Sequence, residues 1–368
     1  MRVIFSAGGT GGHLYPALAL ADYIKQQNKD NEVLFIGSKY RIEATKVAEH
    51  GYNFIGLDII TPSGSIFKKI KGYSQVFLKV NQCKQIIKEF KPDIVIGFGG
   101  YTSYSAIKAA IDLNIPTMLH EQNSVVGKSN KTLAKKVDCF ITAYPDIQNQ
   151  THTNNVIELG NPTSYQVTMT PKTELASLGL QNNLKTILIV MGSQGSMTID
   201  NAMQKYLKNI KNSNFQIIYV SGKDYYKNHE NNKYNSNIKV LPYIDGLVSV
   251  IKACDIIVSR AGASALTEIL SAHKPAILIP SKYVTNNHQY HNAKAIIDKK
   301  AALMIEETDN LETDLSNSID LLLNDNKLYE SIIKNTSDFN LENSAENIYK
   351  LMLKKKEDQK WKKRYTKI

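Results

Sequence analysis

One unit recurs along this chain and restricts its fold: a short apolar run, a loop of small residues, then a helix-like stretch. Apolar runs of strand length stand at 2–6, 33–37, 54–58, 93–98, 117–121 and 139–143, with helix-like segments such as 16–27 and 103–113 between them. Pro16 suits the first helical position, where its missing N–H costs nothing. Short, uniformly apolar strands alternating with helices imply a parallel sheet covered on both faces. The pattern lapses after Asn161-Pro162, through Pro171 and the turn at Gln181-Asn182-Asn183. It restarts with runs at 186–191, 216–221, 238–244, 255–259, 276–280 and 302–306, and the segment after Leu311 reads as helices. The expected fold is therefore α/β, two Rossmann-like, doubly wound domains with a cleft between them. Expected boundaries are 1–162 and 163–341, with a helix and basic tail at 342–368 returning to the N-terminal domain. A length of 368 residues gives each domain a core of its own.

Three loops follow apolar runs directly: Gly8-Gly9-Thr10-Gly11-Gly12-His13, Gly97-Phe98-Gly99-Gly100-Tyr101 and Gly192-Ser193-Gln194-Gly195-Ser196. A glycine loop that opens a helix exposes backbone N–H groups at the positive end of the helix dipole, which suits phosphate. One such loop is only a tight turn; three suggest more than one phosphate-bearing ligand. A dinucleotide oxidoreductase does not fit. The third glycine of G-x-G-x-x-G is replaced by Leu14, and Gly37-Ser38-Lys39 stands where the ribose-binding acid belongs.

His13 closes the first loop. Near neutral pH an imidazole can accept a proton, so it is either a general base or a helix-start residue bonded to a carbonyl. Thr10 could donate its hydroxyl to a phosphate or hydroxyl oxygen. The run His120-Glu121-Gln122-Asn123 ends a strand, where ligands of such sheets bind. The spacing of His288 and His291 could serve a metal, but no acidic third ligand follows, so donors to a sugar or phosphate fit better. Glu268 follows Arg260-Ala261-Gly262-Ala263 and either accepts from a ribose diol or is an ordinary solvated Glu.

The chain carries 45 Lys+Arg against 34 Asp+Glu, a net charge of +11. Residues 68–91 hold seven lysines and one acid, and 353–368 hold eight bases and two acids, so the rest is near neutral. Nucleic acid would require a basic stripe with interleaved aromatics or a known module, and none is present outside the tail. The segment 66–80 interleaves Lys68, Lys69, Lys71 and Lys79 with aromatic and aliphatic residues, as an anionic-membrane docking surface would; a solvated lysine face is the alternative. Trp361 and Tyr365 among the tail's bases could do the same. No apolar run approaches a bilayer span, and the N-terminus does not read as a signal peptide. Cys83, Cys139 and Cys254, odd in number and without CxxC spacing, read as reduced core thiols of a cytosolic protein.

Taken together these motifs resemble the family 28 glycosyltransferases that add N-acetylglucosamine to undecaprenyl-diphosphate-muramoyl-pentapeptide in peptidoglycan synthesis. The matching pieces are the three glycine loops, His120-Glu121-Gln122-Asn123, Gly160-Asn161-Pro162, Arg260-Ala261-Gly262-Ala263 with Glu268, and His288-Gln289 with Asn292-Ala293. The resemblance implies a GT-B fold and inverting transfer from UDP-N-acetylglucosamine to the acceptor's 4-hydroxyl. It implies His13 as base. The donor would meet Thr10, Gly11, Gly12, Asn123, Ser193, the backbone of Ile244, Ala263, Glu268 on the ribose, His288 and Gln289. The acceptor diphosphate would lie on Gly9, Thr10, Gly11, Gly99, Gly100 and Tyr101. No metal or cofactor is implied. Further partners would be the anionic cytoplasmic face of the bacterial plasma membrane and the cell-wall and division machinery, with no nucleic acid. Ser164 stands where the family commonly has Arg, so that contact is not carried over. A UDP-sugar 2-epimerase on a similar frame is the main rival. It would have no use for the paired acceptor loops or the segment 66–80. A sibling transferase acting on diacylglycerol would lack the His-Glu-Gln-Asn run.

Overall fold

The computed structural model describes residues 1–59, 66–145, 147–192, 195–210, 214–339 and 341–365, the side chains of 66–74, 285 and 359–365 excepted. The chain divides into two compact units: Met1–Tyr165 with Asn343–Ile368, and Gln166–Glu342.

The first unit is built on strands β1 (Arg2–Ser6), β2 (Glu32–Ser38), β3 (Asn53–Leu57), β4 (Ile94–Gly97), β5 (Thr117–Glu121), β6 (Cys139–Thr142) and β7 (Val156–Glu158). Its helices are α1 (Gly11–Gln27), α2 (Glu43–Glu49), α3 (Ile66–Phe90), α4 (Gly100–Asp112), α5 (Lys128–Leu133) and α6 (Ile147–Thr151). The strands pair in parallel in the order β3-β2-β1-β4-β5-β6-β7. Successive strand residues face opposite sides, so one strand feeds two cores. Val3 and Phe5 join one apolar cluster with Ile94, Ile96 and Met118, while Ile4 joins another with Val95 and Leu119. Burying each such side chain contributes about 1.5–3 kcal/mol, which is why the strand interiors are apolar.

Helix α1 starts at Gly11, five residues before the proline that the sequence marks as its start. Gly11 and Gly12 extend the helix backwards into the glycine loop. Pro16 consequently lies inside the helix, where it cannot donate to the carbonyl one turn earlier.

The second unit begins in α7 (Ser164–Met169). It continues through β8 (Lys185–Val190), α8 (Met197–Asn209), β9 (Phe215–Val220), α9 (Lys223–Tyr226), β10 (Ile238–Leu241), α10 (Leu247–Ala253), β11 (Ile256–Ser259) and α11 (Ala263–Ser271). It ends with β12 (Ala276–Leu278), α12 (His288–Asp298), β13 (Leu303–Met304), α13 (Leu311–Asn324) and α14 (Asn326–Thr336). Its parallel sheet runs β10-β9-β8-β11-β12-β13. The last helix, α15 (Ser344–Tyr365), buries Ala345, Ile348 and Met352 in the α1 side of the first unit's core. Its Lys356 pairs with Asp93 at 2.9 Å.

Strand order reverses between β1 and β4 in the first sheet and between β8 and β11 in the second. Ligands of open α/β sheets bind outside the strand ends at such switch points. The glycine loops follow β1, β4 and β8, and Arg260-Ala261-Gly262 follows β11.

Candidate functional site

The two loops of the first unit interlock. A Cβ on Gly8 would stand 2.1 Å from the Thr102 hydroxyl, and one on Gly100 (φ +85°) 2.4 Å from the Gly8 carbonyl oxygen. Only glycine permits this approach. It brings the N-termini of α1 and α4 side by side. The first turn of α1 leaves Gly11 and Gly12 N–H without intrahelical acceptors, and Thr10, its cap residue, makes no side-chain cap bond.

His13 is half-buried at this junction. Its Nδ1 lies 2.9 Å from the Gly8 carbonyl oxygen. A carbonyl only accepts, so Nδ1 carries the proton, and in the neutral ring Nε2 holds the lone pair. The Thr10 hydroxyl, 3.4 Å from Nδ1, cannot donate to a protonated nitrogen and keeps its proton for another acceptor. The Nε2 edge packs on Gly99, where a Cβ would come within 3.0 Å of it. Gly9 differs from its expected part in that its N–H donates at 3.4 Å to Oε1 of the buried Glu43.

Three of the four residues in the His-Glu-Gln-Asn run turn inward. His120 is fully buried against the Phe98 ring, its Nε2 donates to the Gly160 carbonyl at 2.9 Å, and burial lowers its imidazole to about 4. It is therefore neutral at physiological pH. Glu121 gathers the following loop, accepting from Asn123 N at 3.1 Å, Gly127 N at 2.9 Å and the Asn130 amide at 3.0 Å. Gln122 donates to the Phe98 carbonyl at 2.8 Å and so joins the loops after β4 and β5. Asn123 alone in the run is half-buried.

In the second unit, Gly192 and Gly195 frame the loop before α8; Ser193 lies outside the described residues. Arg260 is held beneath that loop. It donates to Ser196 Oγ at 2.9 Å, to the Ile279 carbonyl at 3.1 Å and to the buried Glu307 carboxylate at 2.7 Å. Glu268 is half-buried on α11, its carboxyl has no hydrogen-bond partner among the described residues, and burial pushes that carboxyl up to about 7. Ala263 opens α11, and Ile244 is half-buried between β10 and α10. His288 opens α12, and Gln289 accepts from Ser281 N at 2.9 Å, fixing the loop after β12.

Sequence comparison places these features in one family. The glycosyltransferase family 28 N-terminal domain matches residues 3–142, and the family 28 C-terminal domain matches 186–352. A relative from Leuconostoc citreum is 40% identical over 96% of this chain and 98% of its own length. It is named UDP-N-acetylglucosamine–N-acetylmuramyl-(pentapeptide) pyrophosphoryl-undecaprenol N-acetylglucosamine transferase. The chain belongs to glycosyltransferase family 28. The Acinetobacter baumannii MurG crystal structure superposes with a TM-score of 0.78 at 25% identity, covering 96% of this chain and 99% of that one. The family 28 fold here is thus GT-B, two Rossmann-like units on parallel sheets. A putative UDP-N-acetylglucosamine 2-epimerase from Listeria monocytogenes superposes at 0.68 with 11% identity, covering 95% and 94% of the two chains. That likeness extends to the fold alone.

One further feature of this family 28 chain lies beside the glycine loops. The groove between α3, α4 and α5, about 420 Å³, is lined by Val76, Phe77, Tyr101, Tyr104 and Thr132, with Lys128 and Lys131 at its rim. Phe77 and Leu78 are 58% and 70% exposed, whereas Val76, Val80, Cys83 and Ile87 form the buried face of α3. The side chains of Lys68, Lys69 and Lys71 and of the tail aromatics Trp361 and Tyr365 lie outside the described residues. No described helix is long and apolar enough to cross a membrane. The three cysteines are free and buried; burial pushes Cys139 to about 11 and Cys83 and Cys254 to about 12.

Sequence reasoning missed Glu43, Asn130 and the structural role of Arg260. Glu43 carried a weak signal: it stands four residues before Val47, on the buried face of α2.

Proposed function

We propose that this chain is an inverting glycosyltransferase. It moves N-acetylglucosamine from UDP-N-acetylglucosamine to the 4-hydroxyl of undecaprenyl-diphosphate-linked muramoyl-pentapeptide. The observation that carries the reading is the 40% identity along 96% of the chain to an enzyme named for that transfer. The geometry supports a division of labour. The first unit takes the acceptor: Gly11 and Gly12 N–H, the Thr10 hydroxyl and the start of α4 at Gly99, Gly100 and Tyr101 offer donors to its diphosphate. Gly9 contributes its backbone conformation. The second unit takes the donor: Glu268 accepts from the ribose hydroxyls, the Ile244 backbone meets the uracil, and Ala263 leaves room at the start of α11. Ser193 and the start of α8 hold the diphosphate, with His288 and Gln289 beside the sugar. Asn123 serves the sugar hydroxyls.

The chemistry is a single displacement. The acceptor 4-hydroxyl gives its proton to His13 Nε2 as its oxygen bonds to the anomeric carbon. The bond from that carbon to the UDP oxygen breaks, and UDP leaves with the electron pair. Fixed helix-end dipoles offset the charge that develops on the departing diphosphate. An invertible centre attacked once gives the β-1,4 product.

We place the enzyme on the anionic cytoplasmic membrane surface. The exposed Phe77 and Leu78 beside Lys128 and Lys131 support this placement, and the acceptor's lipid would enter along the α3–α4–α5 groove. Contacts with cell-wall and division proteins would follow from that location. The test supplies labelled UDP-N-acetylglucosamine with and without the lipid-linked acceptor. Release of UDP only with acceptor supports the reading; acceptor-independent release of N-acetylmannosamine or UDP overturns it.

A further inference from the structure

His13 is held through its Nδ1. The Gly8 carbonyl that receives its Nδ1–H belongs to the same planar peptide unit as the Gly9 N–H. In a trans peptide these two groups point in opposite directions. On one side lies His13 Nδ1, 2.9 Å from the oxygen. On the other lies Glu43 Oε1, 3.4 Å from the nitrogen. The carboxyl is held firmly: the same Oε1 accepts from Ser38 N at 3.0 Å at the end of β2. A Cβ on Gly37 would stand 2.6 Å from Glu43 Cγ, so the side chain has no freedom on that side. Glu43 is 1% exposed, and its Oε2 has no hydrogen-bond partner among the described residues. Keeping an acid buried with one oxygen unpaired is costly for a group that only fills space.

We propose that Glu43 is a positioning residue for His13, acting through the Gly8–Gly9 peptide as a carboxyl–peptide–imidazole relay; this rests on His13 being the base. A carboxylate at the N–H polarises the peptide and makes the Gly8 oxygen a stronger acceptor. That fixes the Nδ1–H tautomer, keeps the lone pair at Nε2, and stabilises the imidazolium formed when Nε2 takes the acceptor's proton. The relay transfers no proton itself. The close approach of Gly100 holds the Gly8 oxygen from a third direction, so the two glycine loops and α2 together set one imidazole.

The test is a double-mutant cycle on the full chain with both substrates. Glu43→Gln keeps the shape and an accepting oxygen but cannot carry a negative charge. It is expected to lower kcat about tenfold, the difference between a charge-assisted and a neutral hydrogen bond. Donor KM and melting temperature should stay at wild-type values, and the loss should vanish in a His13→Gln background. Glu43→Asp should recover part of the loss. ¹⁵N spectra of histidine-labelled Glu43→Gln should show His13 departing from the Nδ1–H form. Wild-type kcat in Glu43→Gln, an equal loss in both backgrounds, or an unchanged His13 spectrum overturns the relay. Failure of the base reading looks different: His13→Gln alone then keeps near wild-type turnover.

Discussion

The ribose contact proposed for Glu268 gives donor binding a measurable proton linkage. Its carboxyl has no hydrogen-bond partner among the described residues, and burial raises it from 4.5 to about 7. Two ribose hydroxyls donating to it favour the ionised form, so donor binding lowers that value and releases a proton wherever the free group is protonated. The sign follows. Below about pH 7 the free carboxyl must lose its proton before it accepts both hydroxyls, so affinity falls with falling pH. Above it the group is already ionised and affinity is flat. For a group titrating near 7 the dissociation constant should rise about tenfold from about pH 8 to about pH 6, worth about 1.4 kcal/mol. Calorimetric titration with UDP-N-acetylglucosamine measures this directly, because its diphosphate has no group titrating in that window. Repeating it in buffers of different ionisation enthalpy counts the released proton. Glu268→Gln should bind about 10- to 100-fold more weakly at high pH, having lost charge-assisted bonds, and should show no slope. A wild-type affinity independent of pH, or the same slope in Glu268→Gln, would refute the ribose assignment.

Three further predictions concern other parts of the molecule. His13→Ala should lower kcat about 10²- to 10⁴-fold while leaving calorimetric binding of UDP intact; near wild-type turnover would remove it from the chemistry. Arg260→Met strands the buried Glu307 carboxylate and should cost about 3–5 kcal/mol in denaturant unfolding, much of it recovered by adding Glu307→Gln. An unchanged midpoint for the single variant would contradict the burial argument. Replacing Lys68, Lys69 and Lys71 with Gln should weaken binding to anionic vesicles about 100-fold, at about 1 kcal/mol per lysine. Sedimentation equal to wild type would reject the docking surface.

The sheet was legible because its strands are buried on both faces. Val3-Ile4-Phe5 and Ile187-Leu188-Ile189 are apolar without alternation, which only a doubly covered parallel sheet requires. The loops were legible because glycine is irreplaceable where Gly8 and Gly100 meet. Helix starts were less so: Pro16 suggested a boundary that two preceding glycines moved to Gly11. The His-Glu-Gln-Asn run looked like four ligand-facing residues at a strand end. The neighbouring loops' backbone groups instead draw His120, Glu121 and Gln122 inward, where they tie Gly160, the loop after β5 that carries Asn123, and the loop after β4. For Glu43 the spacing to Val47 hinted only at burial; its partners, Gly9 and Ser38, belong to other elements, and no spacing in the chain announces those contacts.

The proposed reaction is a single displacement onto a lipid-linked acceptor with His13 Nε2 as base. Its most direct test is the anomeric configuration of the product, read by NMR from the α-configured donor and the undecaprenyl-diphosphate-linked muramoyl-pentapeptide. The expected product is a β-1,4-linked disaccharide formed in step with UDP release and lost in His13→Ala. An α-linked product, or N-acetylmannosamine formed without acceptor, would contradict it.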